Sequence, residues 1–97
     1  MILELAVLDV IPEREAEFER AFAIAQTIIA AQAGYIDHEL QRCIENPHRY
    51  VLLVRWETLE AHTRGFRGGP DYARWKDLLH HFYEPFPSVE HYTAVLP

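Results

Sequence analysis

Tyr50-Val51-Leu52-Leu53-Val54-Arg55-Trp56-Glu57-Thr58-Leu59-Glu60-Ala61-His62-Thr63 runs through Phe66 and a Gly68-Gly69-Pro70 break into Asp71-Tyr72-Ala73-Arg74-Trp75-Lys76-Asp77-Leu78-Leu79-His80-His81-Phe82. The fold follows from how this segment pairs and winds. Its opening apolar run is too short for a globular helix, is rich in valine and leucine, and passes at once into helical periodicity, so it reads as a buried strand followed by helix. Thr58 is placed to cap the first helical segment by accepting from a free backbone N–H. Gly65, Gly68 and Gly69 interrupt that segment and Pro70 restarts it. Tyr72, Trp75, Leu79 and Phe82 then share one face at three- and four-residue spacing, and Pro85 and Pro87 end the helix.

Upstream, Glu45-Asn46-Pro47-His48 is turn chemistry, which makes Tyr35–Cys43 the hairpin partner of the Tyr50–Trp56 strand. The mixed polar face of Tyr35–Cys43 suits an edge position. Ile2–Val10 reads as another strand, with Leu3, Leu5 and Val7 on one face and Ile2, Ala6, Leu8 and Val10 on the other; Glu4 and Asp9 interrupt it. Between these strands a helix is predicted from Pro12 to Ala33. Proline is preorganised for a first helical position, Glu13, Glu15 and Glu17 favour the positive end of the helix dipole, and Phe18, Ala21, Phe22, Ala25, Ile28 and Ile29 form one apolar stripe. Gly34 is the expected C-cap. Downstream, Ser88–Leu96 alternates as a last strand. The order β-α-β-β-α-β predicts an α+β, ferredoxin-like domain: a four-stranded antiparallel sheet with both helical segments on one face.

With 97 residues the whole chain, 1–97, reads as a single domain. A net charge of -6, with Arg64, Arg67, Arg74 and Lys76 interleaved with acids, argues against a nucleic-acid partner. No apolar run approaches the roughly 20 residues of a membrane span. The N-terminus carries no charged leader with a cleavage site, and a cytoplasmic location is the expectation. The single cysteine, Cys43, rules out an intrachain disulfide and reads as a small packing residue. The first and third strands are apolar on both faces, yet two helical segments cover only one. The expected remedy is a homodimer packed sheet on sheet about a two-fold axis.

Val54-Arg55-Trp56-Glu57-Thr58-Leu59-Glu60-Ala61-His62 resembles the signature segment of the antibiotic biosynthesis monooxygenase domains, as do Gly34-Tyr35-Ile36 and Asn46-Pro47. The resemblance spans nearly the whole chain. It implies a dimeric α+β barrel with a pocket between helices and sheet in each protomer. It also implies oxidation of phenols to quinones by molecular oxygen with no metal, flavin or other cofactor. A haem-degrading branch of the same superfamily is similar in fold but carries an Asn on its first strand, a Trp in the strand-helix segment and an iron-binding His on its second helix. This chain has no Asn on the first strand, and the other two positions fall near Gly65 or Phe66 and near Lys76. A haem reading would therefore need His80 or His81 as a displaced ligand.

His62 is the expected catalytic residue, because an imidazole with a pKa near 6.5 suits proton transfer from a phenol; a helix-end hydrogen bond is its bland alternative. Trp56, Phe66, Tyr72, Trp75 and Phe82 are the expected substrate-binding residues, a box in which a flat aromatic or other apolar ligand would stack, although such a stripe also serves as plain core. Arg67 is placed to steer an anionic substrate or to be merely solvated. No metal site is expected: His38 and His91 lie on opposite sheet edges, His80 and His81 point about 100° apart, and His80 with Glu84 lacks a third ligand. Two functions follow, a monooxygenase of small electron-rich aromatics and a non-catalytic barrel that binds a small apolar ligand.

Overall fold

In the computed structural model, which describes residues 1–97, strand β1 (Ile2–Asp9) is followed by helix α1 (Glu15–Ala30), strands β2 (Tyr35–Arg42) and β3 (Arg49–Trp56), a π-helical turn at Ala61–Phe66, helix α2 (Tyr72–Leu79), a 3-10 turn at His80–Phe82, and strand β4 (Val89–Tyr92). The strands form one antiparallel sheet in the order β2-β3-β1-β4. This is the ferredoxin-like arrangement. The two most apolar strands lie at the centre, and the polar β2 lies at an edge with Asp37, Glu39, Gln41 and Arg42 exposed.

The core lies between the sheet and the helices. Ala6 and Leu8 of β1 and Tyr50, Leu52, Val54 and Trp56 of β3 are buried against Phe18, Phe22, Ala25, Ile28 and Ile29 of α1 and Trp75 and Leu79 of α2. The α1 residues are those at helical spacing along one stripe, and burial of each large side chain contributes roughly 1.5–3 kcal/mol. The opposite face of the sheet carries Leu3, Leu5 and Val7 beside Val51 and Leu53. On that face Leu5 pairs with Leu53 and Val7 with Val51, with no helix over them.

Four boundaries differ from the sequence expectation, each for a local reason. Helix α1 begins at Glu15 instead of Pro12, because Glu13 takes a left-handed φ of 74° that no helix interior tolerates and Arg14 N–H closes a turn on the Ile11 carbonyl. Its end at Ala30 falls short of Ala33, where the chain turns before Gly34. That glycine has φ 84°, and a Cβ added to it would lie 2.6 Å from Ala61 Cβ. The segment after Thr58 is wider than an α-helix: Thr58 Oγ1 accepts from Ala61 N–H at 3.1 Å, and Arg67 N–H then donates to the His62 carbonyl in a five-residue step. The last strand is four residues, not Ser88–Leu96. Tyr92 already faces Leu3 near the start of β1, so the ladder runs out, leaving Val95 and Leu96 exposed. No helix is long and apolar enough to cross a membrane.

Candidate active site

A cavity of about 330 Å³ opens between the sheet and the second helical segment. Its floor is the helix-facing side of β1 and β3: Glu4, Ala6, Leu8 and Leu52. One wall is aromatic. Phe66 from the π-helical turn meets Tyr72 and Trp75 of α2 edge-on, with both ring pairs at 5.4 Å and near right angles. The far rim is His80, Tyr83 and Phe86. Pro70 and the glycines before it let the chain leave the π turn and re-enter as α2, so both aromatic contributors face the same space.

Arg67, Tyr72, His80 and Tyr83 bring polar groups to this cavity, and its deeply buried polar groups are Glu4 and His62. Both side chains are almost wholly buried, at 5 % and 3 % exposure, and they are the only charged or polar residues in the buried set. Trp56 Nε1–H donates to Glu4 Oε1 at 2.9 Å. His62 stacks on the Trp56 indole at 5.3 Å, with its Nε2 3.4 Å from the same Glu4 oxygen and its Nδ1 2.8 Å from His91 Nε2. The π turn has a reason here. Its wider winding sets His62 and Phe66 on the sheet side together, the position at which such turns often serve a site. Burial pushes the Glu4 carboxyl above the usual carboxylate range, while the Trp56 hydrogen bond and the charge of Arg67 pull the other way. Burial, with Arg67 and His91 adding to it, pushes His62 down to about 3. The expectation of an imidazole near its ordinary pKa is thereby corrected: at neutral pH His62 is an uncharged ring. Arg67 is exposed at the mouth and enters none of the chain's ion pairs.

Of the six residues expected at the site, His62, Phe66, Tyr72 and Trp75 line one cavity. Trp56 lies behind its wall as the fully buried support of Glu4 and His62. Phe82 is not in the cavity. It packs edge-on against Phe18 at 5.8 Å, beneath the Arg14 guanidinium. The helical spacing that grouped it with Trp75 and Leu79 fails because the chain tightens into a 3-10 turn at His80, and the steps per residue change.

Glu4 and His91 are the functional candidates that the sequence reading passed over. Glu4 shares an alternation phase with Ala6 and Leu8, so its carboxylate faces inward; a charge on an inward face is the signal that could have marked it. His91 is the direct cross-strand neighbour of Glu4 on β4, a relation that only the register supplies. His80 lies on the cavity rim 3.5 Å from the Tyr72 hydroxyl, and His81 packs on Phe82. On the far edge His38 bonds Tyr35 and Gln26. No group of three His, Cys, Asp or Glu side chains is disposed to hold a metal ion; Glu4, His62 and His91 face one another instead.

Fold and cavity together define a ferredoxin-like α+β domain with a cavity between its sheet and its second helical segment. The chain belongs to the antibiotic biosynthesis monooxygenase family, whose model matches residues 1–78. It is 54 % identical over 95 residues to the uncharacterised protein YczJ of Bacillus subtilis (strain 168), covering 98 % of this chain and 100 % of that one. Among solved structures it is similar to a Bordetella bronchiseptica protein provisionally called an antibiotic biosynthesis monooxygenase, with 38 % identity, TM-score 0.92, and coverage of 98 % and 97 % of the two chains. It also shares its fold with SnoaB, a cofactor-independent oxygenase from Streptomyces nogalater, at 23 % identity and TM-score 0.84, with 99 % and 94 % covered.

Proposed function

We propose that the protein is a cofactor-independent monooxygenase acting on a small electron-rich aromatic, a phenol or quinol, and that it works as a homodimer. The observation that carries this reading is a cavity of about 330 Å³ with an aromatic wall on one side and a buried proton-handling pair on the other. A flat ring stacks on Phe66, Tyr72 and Trp75, with Trp56 and Phe82 as packing behind. Its hydroxyl lies toward His62 and Glu4. Loss of the hydroxyl proton makes the ring a reductant strong enough to pass one electron to oxygen. The radical pair joins at the carbon para to the hydroxyl, the O–O bond breaks, and a quinone and water leave. For a phenol with a free para C–H the sum is phenol plus O2 giving quinone plus H2O, so the substrate itself supplies the electrons. The protein's share is desolvation, alignment and proton handling. The fold likeness to SnoaB and the family membership support this reading.

Oxygen uptake is measured with a panel headed by 1-naphthol, whose free para position makes 1,4-naphthoquinone the product. The expected result is uptake matched by quinone formation, reduced in His62→Ala by about 100-fold or more, the usual scale of a positioned acid-base group. Uptake at background level throughout the panel, or equal rates in the variant, would overturn it. Binding of the same rings without turnover would instead mark a ligand-binding domain.

A further inference from the structure

The geometry points to Glu4 as the group that takes the substrate's proton, and to His62 and His91 as a wire joining it to solvent at the β4 edge. The proposal rests on the oxygenase reading for its substrate, but the wire is defined by this chain alone. Three elements contribute to it. Glu4 comes from the centre of the sheet, His62 from the π turn above it, and His91 from the neighbouring edge strand in direct register with Glu4. Glu4 lines the cavity. Its Oε1 is engaged by the Trp56 indole and faces His62. Its Oε2 has no hydrogen bond within the chain, yet no buried side-chain polar atom is left without a partner, so Oε2 opens onto the cavity. His62 turns one nitrogen to Glu4 and the other to His91, so neither is free for substrate. His91 is half-buried on the edge strand, with Nε2 toward His62 and Nδ1 without a partner in the chain.

The chain carboxyl–imidazole–imidazole–water has the two-sided groups a proton wire needs, since each imidazole accepts on one nitrogen while it donates from the other. Glu4 Oε1 and His62 Nε2 stand 3.4 Å apart without a formed hydrogen bond, and catalytic contacts often tighten only once substrate is bound. With Glu4 ionised, the phenolic proton moves to Oε2, and a flip of the carboxyl about Cγ–Cδ then turns that protonated oxygen to His62 while the other oxygen takes its place at the cavity. From the neutral carboxyl a proton passes to His62 Nε2 as the Nδ1 proton passes to His91 Nε2 and the His91 Nδ1 proton passes to water. Neither ring gains a net charge. Oxidation of a phenol by O2 to quinone and water releases no net proton, so the wire runs inward when the O–O bond breaks and hydroxide is protonated. Both rings then return to their starting tautomers. The charged and titratable groups that face this chain are Arg67 at the mouth and Tyr72 on the opposite wall.

Nitrogen-detected NMR of the imidazoles reads the wire without any substrate. In the wild-type protein the His62 ring proton is expected to exchange quickly with water despite burial. His91→Gln keeps a polar group against His62 but cannot pass a proton on, and the exchange is expected to slow several-fold. Equal exchange rates in the two proteins would overturn the wire. With 1-naphthol, Glu4→Gln is expected to lose about 100-fold or more in kcat. His91→Gln is expected to lower kcat with KM unchanged, and free imidazole to restore the rate of His91→Ala. A wild-type rate in Glu4→Gln would overturn the role of Glu4. If naphthol is not oxidised at all, the oxygenase reading fails, and the exchange measurement still decides the wire.

Discussion

The imidazole of His62 is held neutral by its surroundings, and that has a consequence for stability that can be measured apart from any activity. In the unfolded chain this ring binds a proton near pH 6.5; in the folded protein burial and the nearby Arg67 charge press it down to about 3. Between those values the unfolded state holds the extra proton. The stabilisation is therefore fully present above pH 6.5 and drains away as pH falls toward about 3. Glu4 acts in the opposite sense, because its raised pKa favours the folded state when the carboxyl is protonated. Urea unfolding at pH 7 and pH 4 should show a steeper loss of stability in the wild-type protein than in His62→Gln, in which Glu4 and the other histidines still titrate. Parallel losses in the two proteins would mean that His62 is protonated in the folded state. Residue identity alone suggested His62 as a site, but its lowered pKa comes from burial and then from Arg67 and His91, and His91 is brought to it from a distant strand by the sheet register.

Elements hold these residues in place, and α1, β2 and the π turn meet closely at Gly34. Gly34 ends the α1 turn with φ 84°, its carbonyl accepts from Glu57 N–H at 2.7 Å, and Ala61 presses against the space where a Cβ would be. Gly34→Ala adds a strained backbone conformation, worth about 1–3 kcal/mol, to a 2.6 Å clash with the residue just before His62. The melting temperature should fall by roughly 4–8 °C per kcal/mol lost, and the His62 imidazole resonances should shift with it. An unchanged melting curve would show that the junction yields freely. Much at this scale was legible beforehand. Short, nearly continuous apolar runs gave β1 and β3, the stripe from Phe18 to Ile29 gave the buried side of α1, and Thr58 marked the start of the π turn, whereas α1 is capped at Ala31 and not at Gly34. What was not legible depended on winding and register. The π turn, the 3-10 turn that sends Phe82 toward Phe18, and the left-handed Glu13 that delays α1 are settled by packing. The facing of Glu4 by His91 needs a pairing that no local pattern encodes.

At the scale of the whole molecule, one surface of the sheet is finished and the other is not. Helices cover the face that carries Ala6, Leu8, Leu52 and Val54, while Leu3, Leu5, Val7, Val51 and Leu53 form a continuous apolar band on the uncovered face. Charged residues border that band: Arg55 pairs with Asp37 at 3.1 Å on one side, and Glu90 stands opposite Leu5 on the other. A second copy placed about a two-fold axis would set this band against itself and its acidic and basic margins against one another. Covering the exposed part of each side chain would contribute up to roughly 1.5–3 kcal/mol, set against the entropic cost of association. Leu53→Glu would put two carboxylates near the axis with no partner. Light scattering should report two chains for the wild-type protein and one for this variant. Far-ultraviolet circular dichroism should remain that of a folded domain, because Leu53 is not part of the helix-side core. A wild-type monomer under these conditions would overturn the dimer. A variant that stays dimeric would place the contact elsewhere on the molecule.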